Sequence, residues 1–122
     1  MRTRVLESRL QGARRPLSRE KERTKKMLYV GLDVSKGRAE AAIVGPGMER
    51  LGKTRQFLDR PKDHEALCRW IEQWVANTGA DGIQIGMEPT GGYEVHFSRS
   101  LNDHNWSCPA RVRLLRRPNR GK

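Results

Sequence analysis

The sequence predicts an α/β fold, a mixed sheet with flanking helices, and three observations carry that reading. Two short apolar runs with a two-residue period, residues 28–34 and 82–87, read as strands. A longer stretch between them repeats its apolar residues at helical spacing, with Gly and Pro at each change of period. Both strands also end on a carboxylate, Asp33 or Glu88, with a glycine two residues earlier, Gly31 or Gly86.

The elements follow in order. Strand one covers residues 28–34, Ser35-Lys36-Gly37-Arg38 is a turn, and strand two covers 39–44. Gly45-Pro46-Gly47 turns the chain into a third strand over 53–58, which completes an antiparallel meander. Pro61 then opens a helix whose Leu67, Trp70, Ile71, Trp74 and Val75 form one stripe, and Gly79 closes it. Both tryptophans lie on that stripe, so they read as core. Strand four covers 82–87, Pro89 stops it, and Thr90 is the expected N-cap of a second helix over 91–101. Only Trp106-Ser107-Cys108, short and polar, stands where a fifth strand is expected, so the sheet is read as incomplete at its C-terminal end. The organisation expected is a basic leader over 1–26, one domain over 27–106 and a basic tail over 107–122.

Charge supports that division. The 122 residues carry a formal net charge of +11 with only 35% hydrophobic residues. Residues 1–26 hold ten Lys/Arg and three Asp/Glu, residues 107–122 hold six and none, and the middle holds nine and eleven. The basicity belongs to the ends, which makes a polyanion the first expected partner. The leader is either a basic arm on nucleic acid or an upstream reading error before a natural start at Met27. Cys68 and Cys108 have no His or Cys at zinc-ligand spacing, so neither a disulfide framework nor a zinc site is expected. No run approaches the roughly 20 apolar residues of a membrane span, and the N-terminus lacks a signal peptide's apolar centre, so a cytoplasmic protein with no membrane partner is expected.

The carboxylates suggest chemistry. Side chains alternate along a strand, so Gly31 and Asp33 share one face of the first and Gly86 and Glu88 share one face of the fourth. As parallel neighbours about 4.8 Å apart, the two strands would bring both acids within reach of one hard cation, Mg²⁺ or Mn²⁺, with the glycines keeping the approach open. The plainer alternative is a turn-forming Asp33 and a surface Glu88. Thr90-Gly91-Gly92 is either strand-to-helix punctuation or a helix N-terminus that meets a phosphate. Lys36 and Arg38 are placed to touch a phosphate backbone, Tyr93 is expected in helix packing, and His64, His96 and His104 show no ligand spacing. The order strand, strand, strand, helix, strand, helix is that of the ribonuclease-H-like fold, in which the first and fourth strands are parallel neighbours at the sheet centre.

Gly31-Leu32-Asp33-Val34-Ser35-Lys36, taken with Glu88-Pro89-Thr90-Gly91-Gly92-Tyr93-Glu94, resembles the N-terminal RuvC-like domain of the insertion-sequence one-ten family of DEDD transposases. The resemblance spans residues 28 to about 113. That family uses four acids, in the order Asp, Glu, Asp, Asp, to hold magnesium for DNA strand cleavage and transfer. Asp33 is similar to the first and Glu88 to the second, which makes them the catalytic and metal-ligating candidates. Pro109-Ala110-Arg111-Val112-Arg113 resembles the basic segment beyond the family's fifth strand, which adds Arg111 and Arg113 to the nucleic-acid candidates. Asp103 matches neither remaining acid, and the family's serine-bearing second domain has no counterpart. The resemblance therefore implies a truncated transposase fragment that binds DNA, holds Mg²⁺ weakly and is inactive alone. A guide RNA and oligomerisation belong to the intact family. Two readings stand beside it: a phosphate-binding fragment of an actin-like ATPase or sugar kinase, suggested by Gly-x-Asp and the Ser-Lys turn, and a non-enzymatic basic nucleic-acid-binding protein.

Overall fold

Alternation along the strands decides which way the sheet folds. In a computed structural model that describes residues 25–115, β1 (Met27–Ser35) buries Leu28, Val30, Leu32 and Val34, and leaves Gly31, Asp33 and Ser35 exposed. β4 (Gly82–Met87) buries Ile83, Ile85 and Met87 on the same side. Between them come β2 (Arg38–Val44), β3 (Arg50–Leu58) and α1 (Pro61–Thr78); α2 (Val95–Asp103) and β5 (Ala110–Leu114) follow.

The sheet order is β3-β2-β1-β4-β5. β1 to β3 form the expected antiparallel meander, while β4 pairs parallel to β1 and β5 parallel to β4. This is the ribonuclease-H-like arrangement, with β1 and β4 as central parallel neighbours. The residues that α1 and α2 bury join the apolar side of the sheet in one core, including Leu67, Ile71, Phe97 and Leu101. Among the described residues no helix covers the opposite side.

α1 forms where the stripe predicts it. Pro61 stands at its start, where the missing N–H costs nothing, and Gly79 ends it in the left-handed region at φ 70°, its N–H reaching the Val75 carbonyl at 2.9 Å. Gly52 is constrained differently. It sits at φ 68° beside a register shift between β2 and β3, and a Cβ there would come within 2.9 Å of the Trp74 ring.

Three expectations are corrected. The fifth strand is Ala110–Leu114, inside the segment read as a tail, so the sheet runs past residue 106 and β4 is paired on both sides. Trp106 is loop instead: its ring Nε1 donates to the Leu101 carbonyl at 2.9 Å and packs edge-on to His104. The second helix starts at Val95 and not at Gly91, because Gly91 and Gly92 hold φ of 67° and 94°, outside the helical region. Tyr93 consequently lies exposed on that turn. The leader through residue 24 and the tail from 116 lie outside the described residues. No helix among those described is long and apolar enough to cross a membrane.

Candidate functional site on the open face of the sheet

The β1–β4 ladder runs from Met27 opposite Gly82 to Leu32 opposite Met87. Asp33 and Glu88 are the next residue on each strand, both exposed, and both line one cavity of about 550 Å³. The juxtaposition predicted from the two motifs is thus present at the carboxyl ends of the two central strands.

A third carboxylate was missed. Glu40 lies directly opposite Asp33 across the β1–β2 ladder and lines the same cavity, where it accepts a hydrogen bond from Thr54 Oγ1 at 3.0 Å. The signal was in the turn. With Ser35 paired to Arg38, the loop is only Lys36-Gly37, and counting back two residues on each strand sets Glu40 against Asp33. These oxygens suit a hard cation in type. In arrangement they fall short, because no group of three or more His, Cys, Asp or Glu among the described residues is placed to hold a metal.

The two glycines play different parts. A Cβ at Gly31 would meet nothing within 4 Å, so this position does keep the cavity floor open. Gly86 instead lies beneath Leu115, whose Cδ1 would stand 2.9 Å from a Cβ there. Leu115 is fixed by its N–H, which donates to the Met87 carbonyl at 2.6 Å, and it lines both this cavity and a second one of about 370 Å³ over Tyr29, Gln84 and Arg113.

The structure brings most of the cationic candidates to the same side. Arg111 and Arg113 pair with Gln84 and Gly86, so they belong to the open face, and both are exposed. Arg38 pairs with Ser35 two residues beyond Asp33 and is likewise exposed, with Lys36 in the turn itself. Thr90 and Gly91 fit a phosphate poorly. The Glu94 carboxylate folds back to accept the Thr90 N–H at 2.8 Å. That hydrogen bond, with those from the Glu94 and Gly92 amides, holds Glu94 below the ordinary glutamate range. An internal carboxylate occupies the place where a phosphate would bind. Cys68 is buried, and its desolvation, with Glu72 and Glu65 nearby, pushes the thiol up to about 11, which leaves it protonated and unreactive.

No protein-family model matches the chain, and no curated protein matches it in sequence. Several solved structures are similar in fold. Pelota from Archaeoglobus fulgidus is 15% identical with a TM-score of 0.49, over 83% of this chain and 30% of that one. A foamy viral protease–reverse transcriptase in complex with double-stranded DNA is 8% identical with a TM-score of 0.41, over 80% and 20%. An Aquifex aeolicus Ppx/GppA enzyme is 7% identical with a TM-score of 0.38, over 73% and 36%. The chain spans about a third or less of each, and likenesses at this level concern backbone arrangement and not activity.

Proposed function

We propose that this chain is a nucleic-acid-directed domain of the ribonuclease-H-like class, of the kind found at the N-terminus of insertion-sequence one-ten transposases. In this reading Asp33 and Glu88 are its metal-binding pair and the open face of the sheet is its DNA face. The observation that carries the reading is the placement of Asp33 and Glu88 side by side at the carboxyl ends of the parallel central strands, in one cavity open to solvent. Arg38, Arg111 and Arg113 share that face, and their charge suits a phosphate backbone flanking the acids.

When bound, magnesium would supply Lewis-acid polarisation of a phosphate. Asp33 and Glu88 would hold it, with Glu40 lining the same cavity. Two primary carboxylates make that binding weak, and the chain by itself is expected not to cleave or join DNA. Gly91 and Thr90 have no direct part, since Glu94 already takes the Thr90 amide. The same contact counts against a phosphate site at the Thr90 turn.

Manganese titration followed by paramagnetic NMR broadening tests the assignment. Amide signals near Gly31, Asp33 and Glu88 should broaden first in the wild-type chain and lose that selectivity in Asp33→Ala and Glu88→Ala. Identical broadening in all three proteins overturns the metal site.

A further inference from the structure

A second polar cluster lies away from the open face, where α1 and α2 meet. His64, in the first turn of α1, is buried. Its Nε2 is 2.8 Å from Asp59 Oδ1 and its Nδ1 is 2.8 Å from the hydroxyl of Ser100 on α2. The protons on this chain follow from its chemistry. A carboxylate only accepts, so the neutral imidazole must carry its proton on Nε2, toward Asp59; Nδ1 is then a lone pair, and Ser100 donates to it.

The surrounding structure fixes each member. The Asp59 N–H donates to the Gly37 carbonyl at 3.0 Å, and the other Asp59 oxygen faces His96 Nδ1 at 3.2 Å. The His64 ring lies against Phe97, with centroids 4.7 Å apart. Asp63 holds the intervening turn by accepting the Leu58 N–H at 2.8 Å and Arg60 Nε at 2.7 Å. Ser100 is less buried than His64, and it lines a cavity of about 350 Å³ together with Asp59, Arg60, His96 and Arg99.

We propose that Asp59, His64 and Ser100 form an acyl-transfer site, independent of the open-face site, with Ser100 as nucleophile, His64 as its base and Asp59 as the group that orients and stabilises the imidazolium. The substrate class is a small ester of an anionic acid, because Arg60, His96 and Arg99 line the cavity that Ser100 shares. As Ser100 Oγ bonds to the ester carbonyl carbon, its proton passes to His64 Nδ1. When the C–O bond to the alcohol breaks, that proton leaves with the alcohol and an acyl-Ser100 ester remains. Water then attacks the acyl carbon, giving its proton to Nδ1, which returns it to Ser100 as the carboxylic acid departs.

The test uses the full chain and a biotinylated alkyl fluorophosphonate, which forms a phosphorus–oxygen bond to an activated serine and releases fluoride. Peptide mass mapping is expected to find the adduct on Ser100 at least about tenfold faster than on Ser98, one half-turn away on the same helix. Asp59→Asn should slow labelling of Ser100 by at least a similar factor of about ten while its circular dichroism melt stays cooperative. Equal labelling of Ser100 and Ser98 in the folded wild-type chain overturns the proposal, and that comparison stands even where Asp59→Asn does not fold. For the substrate class, the mono-p-nitrophenyl ester of succinate should turn over faster than p-nitrophenyl acetate, and Arg99→Gln should abolish the difference. Equal turnover in the wild type overturns the anionic assignment.

Discussion

On the helix-covered side of the sheet, β1 and β4 present Leu28, Val30, Leu32, Val34, Ile83, Ile85 and Met87, none more than 5% exposed. On the open side the same two strands present Tyr29, Gly31, Asp33, Gln84 and Gly86, half-buried or exposed. One backbone therefore serves two purposes. Burial on the first side stabilises the fold, and that leaves the second side free to carry charges and bare backbone that add little stability.

The largest expected effect breaks the first side. Ile85 is fully buried on a central strand paired on both edges, so Ile85→Ala should cost about 2–5 kcal/mol in urea unfolding. A cost below about 1 kcal/mol would mean that the core is not packed as described. The substitution should leave the arginines of the open face where they are, so any DNA affinity measured well below the unfolding midpoint should persist.

The next prediction breaks the second side alone. Arg111→Gln with Arg113→Gln removes two cations from the open face, and it should flatten the slope of log affinity against log salt on duplex DNA by about 1.8, from roughly 0.9 per phosphate contact. Arg69→Gln, exposed on α1 and paired among the described residues with Glu65, is the control and should change nothing. Equal slopes in both variants would place DNA elsewhere on the molecule.

The two sides also differed in how legible they were. Apolar residues at period two or at helical spacing announce the helix side directly, and β1, β2, β4 and α1 were read from them nearly to the residue. The fifth strand was overlooked because Arg111 and Arg113 interrupt Ala110, Val112 and Leu114; alternation was there, but its polar half faces the open side and reads as tail. Glu40 could have been found by counting back from the two-residue turn. Other features had no local signal. That Leu115 covers Gly86 depends on β5 lying beside β4, and the Asp59–His64–Ser100 relay joins residues up to 41 apart that only helix packing brings together.

A smaller effect separates the sides by pH. Burial works to raise the Glu72 pKa, but hydrogen bonds from Ser107 and His104 outweigh it and hold the group below the ordinary glutamate range. The Leu58 amide, followed by Arg60, holds Asp63 low as well. Both acids lie on the helix side and stay ionised in the folded chain at pH values where the unfolded chain binds protons. Stability therefore rises with pH across that window, is fully present at neutral pH, and falls as acid protonates the folded groups. Thermal melts at pH 7 and pH 3 should show a loss that is smaller in Glu72→Gln than in the wild type. An equal loss in both proteins would show that the loop from His104 to Ser107 is not tied to α1.

The smallest effect distinguishes the two glycines of the open face. Gly31→Ala adds a methyl into space with no atom within 4 Å, on a strand position whose φ is ordinary. A strand alanine is favoured over glycine by roughly 0.5–1 kcal/mol, so the variant should be at least as stable as the wild type. Gly86→Ala meets the end of the Leu115 side chain at 2.9 Å, and that flexible end can turn away, so the change in stability should stay within about 1 kcal/mol. Its consequence should appear in the cavity instead. Displaced from Gly86, Leu115 would line the two open-face cavities differently, and its methyl signals in carbon–proton NMR should shift in Gly86→Ala and hold in Gly31→Ala. Shifts of equal size in both variants would mean that Leu115 does not lie across Gly86.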